Sequence, residues 1–229
     1  ILEQIHNSPF LHPTKTRETK IKAIIFNDAQ IDHTTGLLML REGCPHQIYC
    51  TKEVNEELNT TFPLMKMLKH WDGGGTFWHE IIPNSTSKFE IPVMPSYEFY
   101  AHSLISNAPP YSAYRDKPRK GYLPGLGVLQ EHILEEMAKA DILLLEGTLW
   151  TNDEMIKGNF SKKLGTEMGH IPLNGEEGLI KVLDTLEKPR KILIHINNTN
   201  PILDESTLEY KELISHGIEI SYDGMSIEI

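Results

Sequence analysis

Lys22-Ala23-Ile24-Ile25-Phe26-Asn27-Asp28-Ala29-Gln30-Ile31-Asp32-His33-Thr34-Thr35-Gly36-Leu37 is the stretch on which the reading of this chain turns. An apolar strand runs out at Phe26. A polar loop follows, with Asp32-His33 at its end, and Leu37, Leu38 and Leu40 then suggest a helix. A strand end that delivers a carboxylate and an imidazole side by side is suited to holding a metal, because both groups are good ligands and the strand behind them is rigid. A second strand, Arg190-Lys191-Ile192-Leu193-Ile194-His195, delivers another imidazole at its own end. Asp32, His33 and His195 together make two imidazoles and one carboxylate, the ligand set of non-haem iron(II) oxygenases, with positions left open for oxygen and substrate.

Working outward, 229 residues are enough for one large domain with a substantial core. No run of about 18 apolar residues is present, so no membrane span is expected. No basic and apolar leader is visible either, and a cytoplasmic location is expected. The chain opens Ile1-Leu2-Glu3 without a Met, so its true start is expected upstream. The net charge of -10 argues against binding nucleic acid through phosphate neutralisation. The one basic cluster, Arg115-Asp116-Lys117-Pro118-Arg119-Lys120, reads as a solvated loop. Cys44 and Cys50 are able to pair, and fit a reduced protein equally well.

Strand-like runs fall at 22–26, 47–51, 76–82, 97–104, 141–146, 191–196 and 218–222. Helix-like runs fall at 52–59, 63–71, 128–140, 176–187 and 206–216. Within 128–140, Val128, Leu129, Ile133, Leu134 and Met137 form the stripe of a core-facing helix. Gly217 is placed to end the last helix. Mixed strands and helices give an α/β or α+β domain.

Each candidate residue carries an alternative. Asp32 and His33 also read as an N-cap and a surface His at a helix start. His195 also reads as a core His. The polar run Asn197-Asn198-Thr199-Asn200 beyond it offers amides, Asn197 among them, to fix its tautomer or contact a substrate. Glu146 closes the apolar run Ile142-Leu143-Leu144-Leu145 just before Gly147, as a sheet-end cap or as a ligand. His170, in Gly169-His170-Ile171-Pro172, is a structural His or a proton-transfer group.

The stretch around Asp32 also resembles the metallo-β-lactamase superfamily signature His-x-His-x-Asp-His, with Asp28 and Gln30 in place of the first two His and with Asp32 and His33 matching. Arg41-Glu42-Gly43-Cys44-Pro45-His46, Ser106-Asn107-Ala108-Pro109-Pro110-Tyr111-Ser112, Met168-Gly169-His170 and Ile194-His195-Ile196-Asn197-Asn198-Thr199-Asn200-Pro201 narrow the likeness to the pyrroloquinoline quinone (PQQ) biosynthesis protein B family, over nearly the whole chain. The resemblance implies an αββα four-layer sandwich, with residues 1–229 as a single domain. Against the family, the chain is short of an amino-terminal part and of a segment near 120–122, which is expected to be omitted rather than lost. The family's Cys-x-Cys-x-x-Cys zinc segment is absent from this sequence.

By the same resemblance, His195 matches the last metal-ligand His and Glu146 matches an Asp that bridges two metals. His170 matches the Gly-His step that serves some members as a general acid. Asn107 stands where a third motif carries His. With Asp28, Gln30 and Asn107 replacing imidazoles, only one metal position keeps its ligands, which suits Fe(II) and oxygen activation better than a two-metal hydrolase. The resemblance implies an Fe(II)- and O₂-dependent hydroxylase acting on the tyrosine ring of a small Glu–Tyr-derived precursor or short peptide. Asn107, Tyr111 and Arg115 are expected to recognise the substrate, with Arg115 pairing a carboxylate. Zinc is an alternative occupant. A carrier moving PQQ or its precursor out of the cytoplasm and a zinc hydrolase are the competing readings. Other enzymes of the pathway and a second copy of the chain are the expected partners.

Overall fold

The computed structural model describes residues 2–71, 74–83, 88–104, 107–113, 115 and 127–228. The expected omission near 120–122 and most of the basic cluster lie outside the described residues. The chain forms two compact units, Ile1–Ser103 with Asn107–Pro124, and Leu104–Ser106 with Gly125–Ile229.

In the first unit, helix α1 (Leu2–His6) precedes strand β1 (Ile24–Ile25), the short helices α2 (Ile31–Thr34) and α3 (Gly36–Met39), and strand β2 (His46–Cys50). Helices α4 (Lys52–Glu57) and α5 (Leu64–Leu68) then lead to strand β3 (Thr76–Glu80). The three strands pair in parallel in the order β1-β2-β3, with Ile24 opposite Ile48 and Ile48 opposite Trp78. Parallel pairing needs crossover connections, and the helices between the strands supply them. Thr51 caps α4 by accepting from the Val54 N–H at 3.3 Å. Ile48, Leu58, Leu64 and Leu68 are fully buried in this unit's core. Strands β4 (Lys88–Phe89) and β5 (Phe99–Tyr100) form a separate antiparallel pair.

The second unit alternates strand and helix. Helix α6 (Glu131–Lys139) precedes β6 (Ile142–Glu146); α7 (Glu154–Lys157), α8 (Gly165–Met168) and α9 (Leu179–Leu183) lead to β7 (Arg190–Ile194); α10 (Leu208–Ser215) leads to β8 (Ile218–Ile220). The sheet is parallel throughout, with Glu146 opposite Ile194. The carboxyl ends of β6 and β7 therefore finish side by side, where parallel sheets present ligand-binding groups. Gly147 permits this approach: a Cβ there would meet Leu193 Cβ and Ile196 Cγ1 at 3.1 Å. Gly217, at φ +68°, ends α10 in the left-handed conformation expected of a C-terminal glycine.

Leu173, Leu179, Leu183, Leu193 and Leu213 are fully or almost fully buried in the second unit's core. Leu183→Ala is expected to cost about 2–5 kcal/mol, because it removes buried methyl groups and leaves a cavity. Leu208, 78 % exposed, serves as the control, and its replacement by Ala is expected to cost no more than about 0.5 kcal/mol. Urea denaturation measures both, and equal losses would place Leu183 outside the core.

Several sequence expectations need correction. Val128 and Leu129 precede α6 and do not belong to its stripe, Val128 being 52 % exposed, and the helix expected over 176–187 is confined to Leu179–Leu183. The run 97–104 is a strand only at Phe99–Tyr100, because its partner β4 is two residues long. Asp32 is not an N-cap: Gln30 holds that position and Asp32 lies within α2. Cys44 and Cys50 are free thiols, and burial pushes Cys50 up to about 12. Among the described residues no helix is long and apolar enough to cross a membrane.

Candidate metal centre

In the first unit, the backbone leaves β1 at Phe26, whose N–H still donates to the Tyr49 carbonyl at 2.9 Å. The buried Asp28 carboxylate then turns the chain by accepting the Gln30 N–H at 2.7 Å, a local side-chain turn that starts α2. The same carboxylate accepts from His33 Nδ1, 2.7 Å from Oδ2 and 2.9 Å from Oδ1. An ionised carboxylate only accepts, so the proton sits on Nδ1 and a neutral His33 ring carries its lone pair on Nε2. Nε2 lies 3.6 Å from Asp32 Oδ2, and the Asp32 side chain is 78 % exposed. An imidazole nitrogen and a carboxylate oxygen at that spacing fit adjacent ligand positions on a first-row divalent metal, whose ligand bonds are about 2.0–2.2 Å.

The loop carrying Asp28 is held from behind. Tyr111 donates its hydroxyl to the Ala29 carbonyl. Burial, aided by the charges of Glu57 and Asp28, pushes the Tyr111 phenol above its ordinary range, so it stays a donor. Ser112 donates to the fully buried Glu57 carboxylate, and Arg115 Nη1 donates to the Ala108 carbonyl. Asn107 is exposed at the start of the same segment.

In the second unit, His195 follows the last residue of β7 with φ +53°, a left-handed conformation that costs a non-glycine residue about 1–3 kcal/mol and clusters at functional sites. Three bonds between neighbouring loops hold it there. Gly147 N–H donates to the Ile194 carbonyl at 2.8 Å, Asn197 N–H to the Thr148 carbonyl at 3.2 Å, and the buried Asn200 amide to the Gly147 carbonyl at 2.8 Å. Thr148 Oγ1 consequently lies 2.8 Å from His195 Nδ1, 2.7 Å from Glu146 Oε1 and 3.1 Å from the His195 carbonyl oxygen. His170 reaches the same carboxylate: its Nδ1–H donates to Glu146 Oε1. Gly169, at φ +96°, turns the chain out of α8 to place it. The His170 and His195 rings lie 6.0 Å apart, 28° from parallel. Glu146, His170 and His195 bring one ligand atom each to within 4.8 Å of one another. The Asn197 amide donates to Thr199 Oγ1 at 2.8 Å and to Met155 Sδ at 3.4 Å, so its donors hold the loop after β7.

Within the units, therefore, Asp32 pairs with His33, and Glu146 with His170 and His195. Sequence reading missed Asp28 as the partner of His33 and missed Thr148 altogether. The signal for Asp28 was available, since a metal-binding His needs an acceptor for its other ring nitrogen and Asp28, five residues upstream, is the next carboxylate beyond Asp32 itself. Thr148 has no comparable signature.

The β-lactamase superfamily domain matches residues 1–196. With the parallel sheets and strand-end acid–imidazole groups just described, it defines a protein of the metallo-β-lactamase fold. Coenzyme PQQ synthesis protein B of Stutzerimonas stutzeri is 47 % identical, the match covering 100 % of this chain and 81 % of that protein. The protein of the same name from Pseudomonas protegens is 49 % identical over 93 % of this chain and 75 % of its own length. The crystal structure of Zn²⁺-bound PqqB from Methylobacterium extorquens superposes with a TM-score of 0.85 at 28 % identity, covering 100 % of this chain and 80 % of that one. This chain belongs to the coenzyme PQQ synthesis protein B family.

Proposed function

We propose that this chain acts in PQQ biosynthesis as an Fe(II)- and O₂-dependent hydroxylase of a tyrosine-derived precursor, with Asp32, His33 and His195 holding the metal. The observation that carries the reading is the His33–Asp28 pair: a buried carboxylate fixes the imidazole so that its lone pair falls on Nε2, beside Asp32. Two imidazoles and one carboxylate suit Fe(II) with open positions, and they also accept zinc, the ion named for the Methylobacterium relative. Bound Fe(II) supplies the capture and activation of O₂. His170, tied to Glu146 through Nδ1, is the proton-transfer group. Asn107 and Arg115 recognise the polar substrate, while Tyr111 and Asn197 hold the loops around it. The two units are halves of one domain in this reading, in keeping with a family match over residues 1–196 that takes in residues of both. The other enzymes of the pathway are its functional partners, in the cytoplasm.

The test is anaerobic reconstitution with Fe(II), exposure to O₂ with a tyrosine-containing precursor, and mass spectrometry of the product. Iron-dependent gain of an oxygen atom supports the proposal. Amide or ester cleavage with zinc would replace it with a hydrolase, and completion of PQQ without any metal would replace it with a carrier. Asp28→Asn is expected to lower metal affinity by about 10–100-fold, the usual effect of losing the acceptor behind a ligating imidazole. Metal titration in the presence of a competing chelator measures the change.

A further inference from the structure

The hydrogen bonds at the ends of β6 and β7 assign a direction to a chain of protons. A threonine hydroxyl has one proton to give and accepts through its lone pairs. Thr148 Oγ1 faces two oxygen acceptors, Glu146 Oε1 at 2.7 Å and the His195 carbonyl at 3.1 Å, and at 2.8 Å the His195 Nδ1, which accepts or donates according to its tautomer. The ionised carboxylate is the strongest of the three and the nearest, so the proton goes to Glu146. Thr148 Oγ1 then accepts from His195, whose proton sits on Nδ1 and whose lone pair sits on Nε2. Glu146 Oε1 also receives the Nδ1–H of His170. One carboxylate oxygen thus sets the tautomer of two imidazoles, His170 directly and His195 through the hydroxyl.

We propose that Thr148 is a positioning residue that fixes His195 as an Nε2 ligand, and that Glu146 works through it as a tautomer-setting hub rather than as a metal ligand. The burial agrees: the Glu146 side chain is 8 % exposed and Thr148 is likewise buried. The left-handed backbone of His195 agrees too, because it brings both the ring nitrogen and the carbonyl oxygen of that residue to the one hydroxyl. The arrangement parallels Asp28 behind His33, with a neutral group in place of the carboxylate. This proposal rests on the metal reading above in its second half only. The tautomer of His195 is a property of the metal-free protein.

The experiment uses the full chain in five forms: unchanged, Thr148→Val, Thr148→Ser, Glu146→Gln and His195→Ala. Long-range ¹⁵N–¹H spectra of ¹⁵N-histidine-labelled, metal-free protein report the tautomer. The unchanged chain and Thr148→Ser are expected to show His195 protonated on Nδ1. Thr148→Val, nearly isosteric but without a hydroxyl, is expected to lose that single tautomer. Titration with Zn²⁺ against a chelator is expected to show an affinity about 10–100-fold lower for Thr148→Val, restored in Thr148→Ser. Glu146→Gln is expected to weaken binding within the same range. An Nδ1–H tautomer that persists in Thr148→Val overturns the positioning role whatever the metal does. Loss of Zn²⁺ in Glu146→Gln as complete as in His195→Ala makes Glu146 a ligand and overturns the hub. If the unchanged chain binds no metal while the tautomer still follows Thr148, the metal reading fails and the proton chain stands.

Discussion

His33→Ala and His195→Ala are each expected to abolish oxygen-dependent product and to lower metal affinity by well over the ~10–100-fold that follows loss of an outer partner. A three-ligand site that loses an imidazole keeps one nitrogen and one carboxylate, too few to hold a first-row metal against water. Neither substitution is expected to unfold the chain. The His33 side chain, 28 % exposed, bonds the Asp28 carboxylate, and His195 stands at a strand end whose neighbouring backbone bonds, Gly147 to Ile194 and Asn197 to Thr148, do not involve its ring. His195→Ala is expected to cost about 1 kcal/mol or less of stability, and His33→Ala about 1–3 kcal/mol, because it leaves the buried Asp28 carboxylate without its imidazole partner. Metal content, product formation and urea denaturation on the same preparations decide the matter. Variants that keep full ability to complete PQQ in a cell-free pathway assay would remove the enzyme reading and leave the carrier in its place.

How much of this was legible in the sequence depends on how far each feature is local. The apolar runs that became β2, β6, β7 and β8 were read to within about two residues, because each is a short run of β-branched and other apolar residues bounded by polar ones. Helix α9 was read three residues too early. Gly175, at φ +112°, bends the preceding chain, and Leu179 N–H donates back to the Pro172 carbonyl, so the helix starts only at Leu179. The four-residue helices α2, α7 and α8 are too short to show a period, and β4 has no run to find. Among the candidate residues, Glu146 and His195 stood out because a carboxylate or imidazole directly after an apolar run is a local anomaly, and Asp32 and His33 because they follow such a run across a short polar loop. Their partners were not. The role of Asp28 needs the Asx turn that folds it back onto His33, and that of Thr148 needs the register that sets Glu146 opposite Ile194. Both facts belong to the fold rather than to any short stretch of chain.

His170→Ala is expected to hold its metal and to slow turnover by about 10²–10⁴-fold, the range for loss of a general acid–base group. The ring is well placed for that work. Its Nδ1–H is committed to Glu146, so a neutral ring offers its lone pair at Nε2, and it stands within 6.0 Å of the His195 ring without sharing a strand with it. An imidazole changes charge near neutral pH and both gives and takes a proton there. His170→Gln separates this from a merely positional role. A Gln amide is able to donate to Glu146 as the ring does, but it carries no proton to transfer. The Gln variant is therefore expected to keep metal affinity and stability near those of the unchanged chain and to remain as slow as the Ala variant. Activity restored by Gln would reduce His170 to a prop for Glu146. Metal lost in both variants would make the ring part of the ligand set, with proton transfer passing to another group. Turnover at saturating Fe(II), read beside metal content for each protein, distinguishes the three outcomes, because only a proton-transfer role lowers the rate while leaving the metal in place.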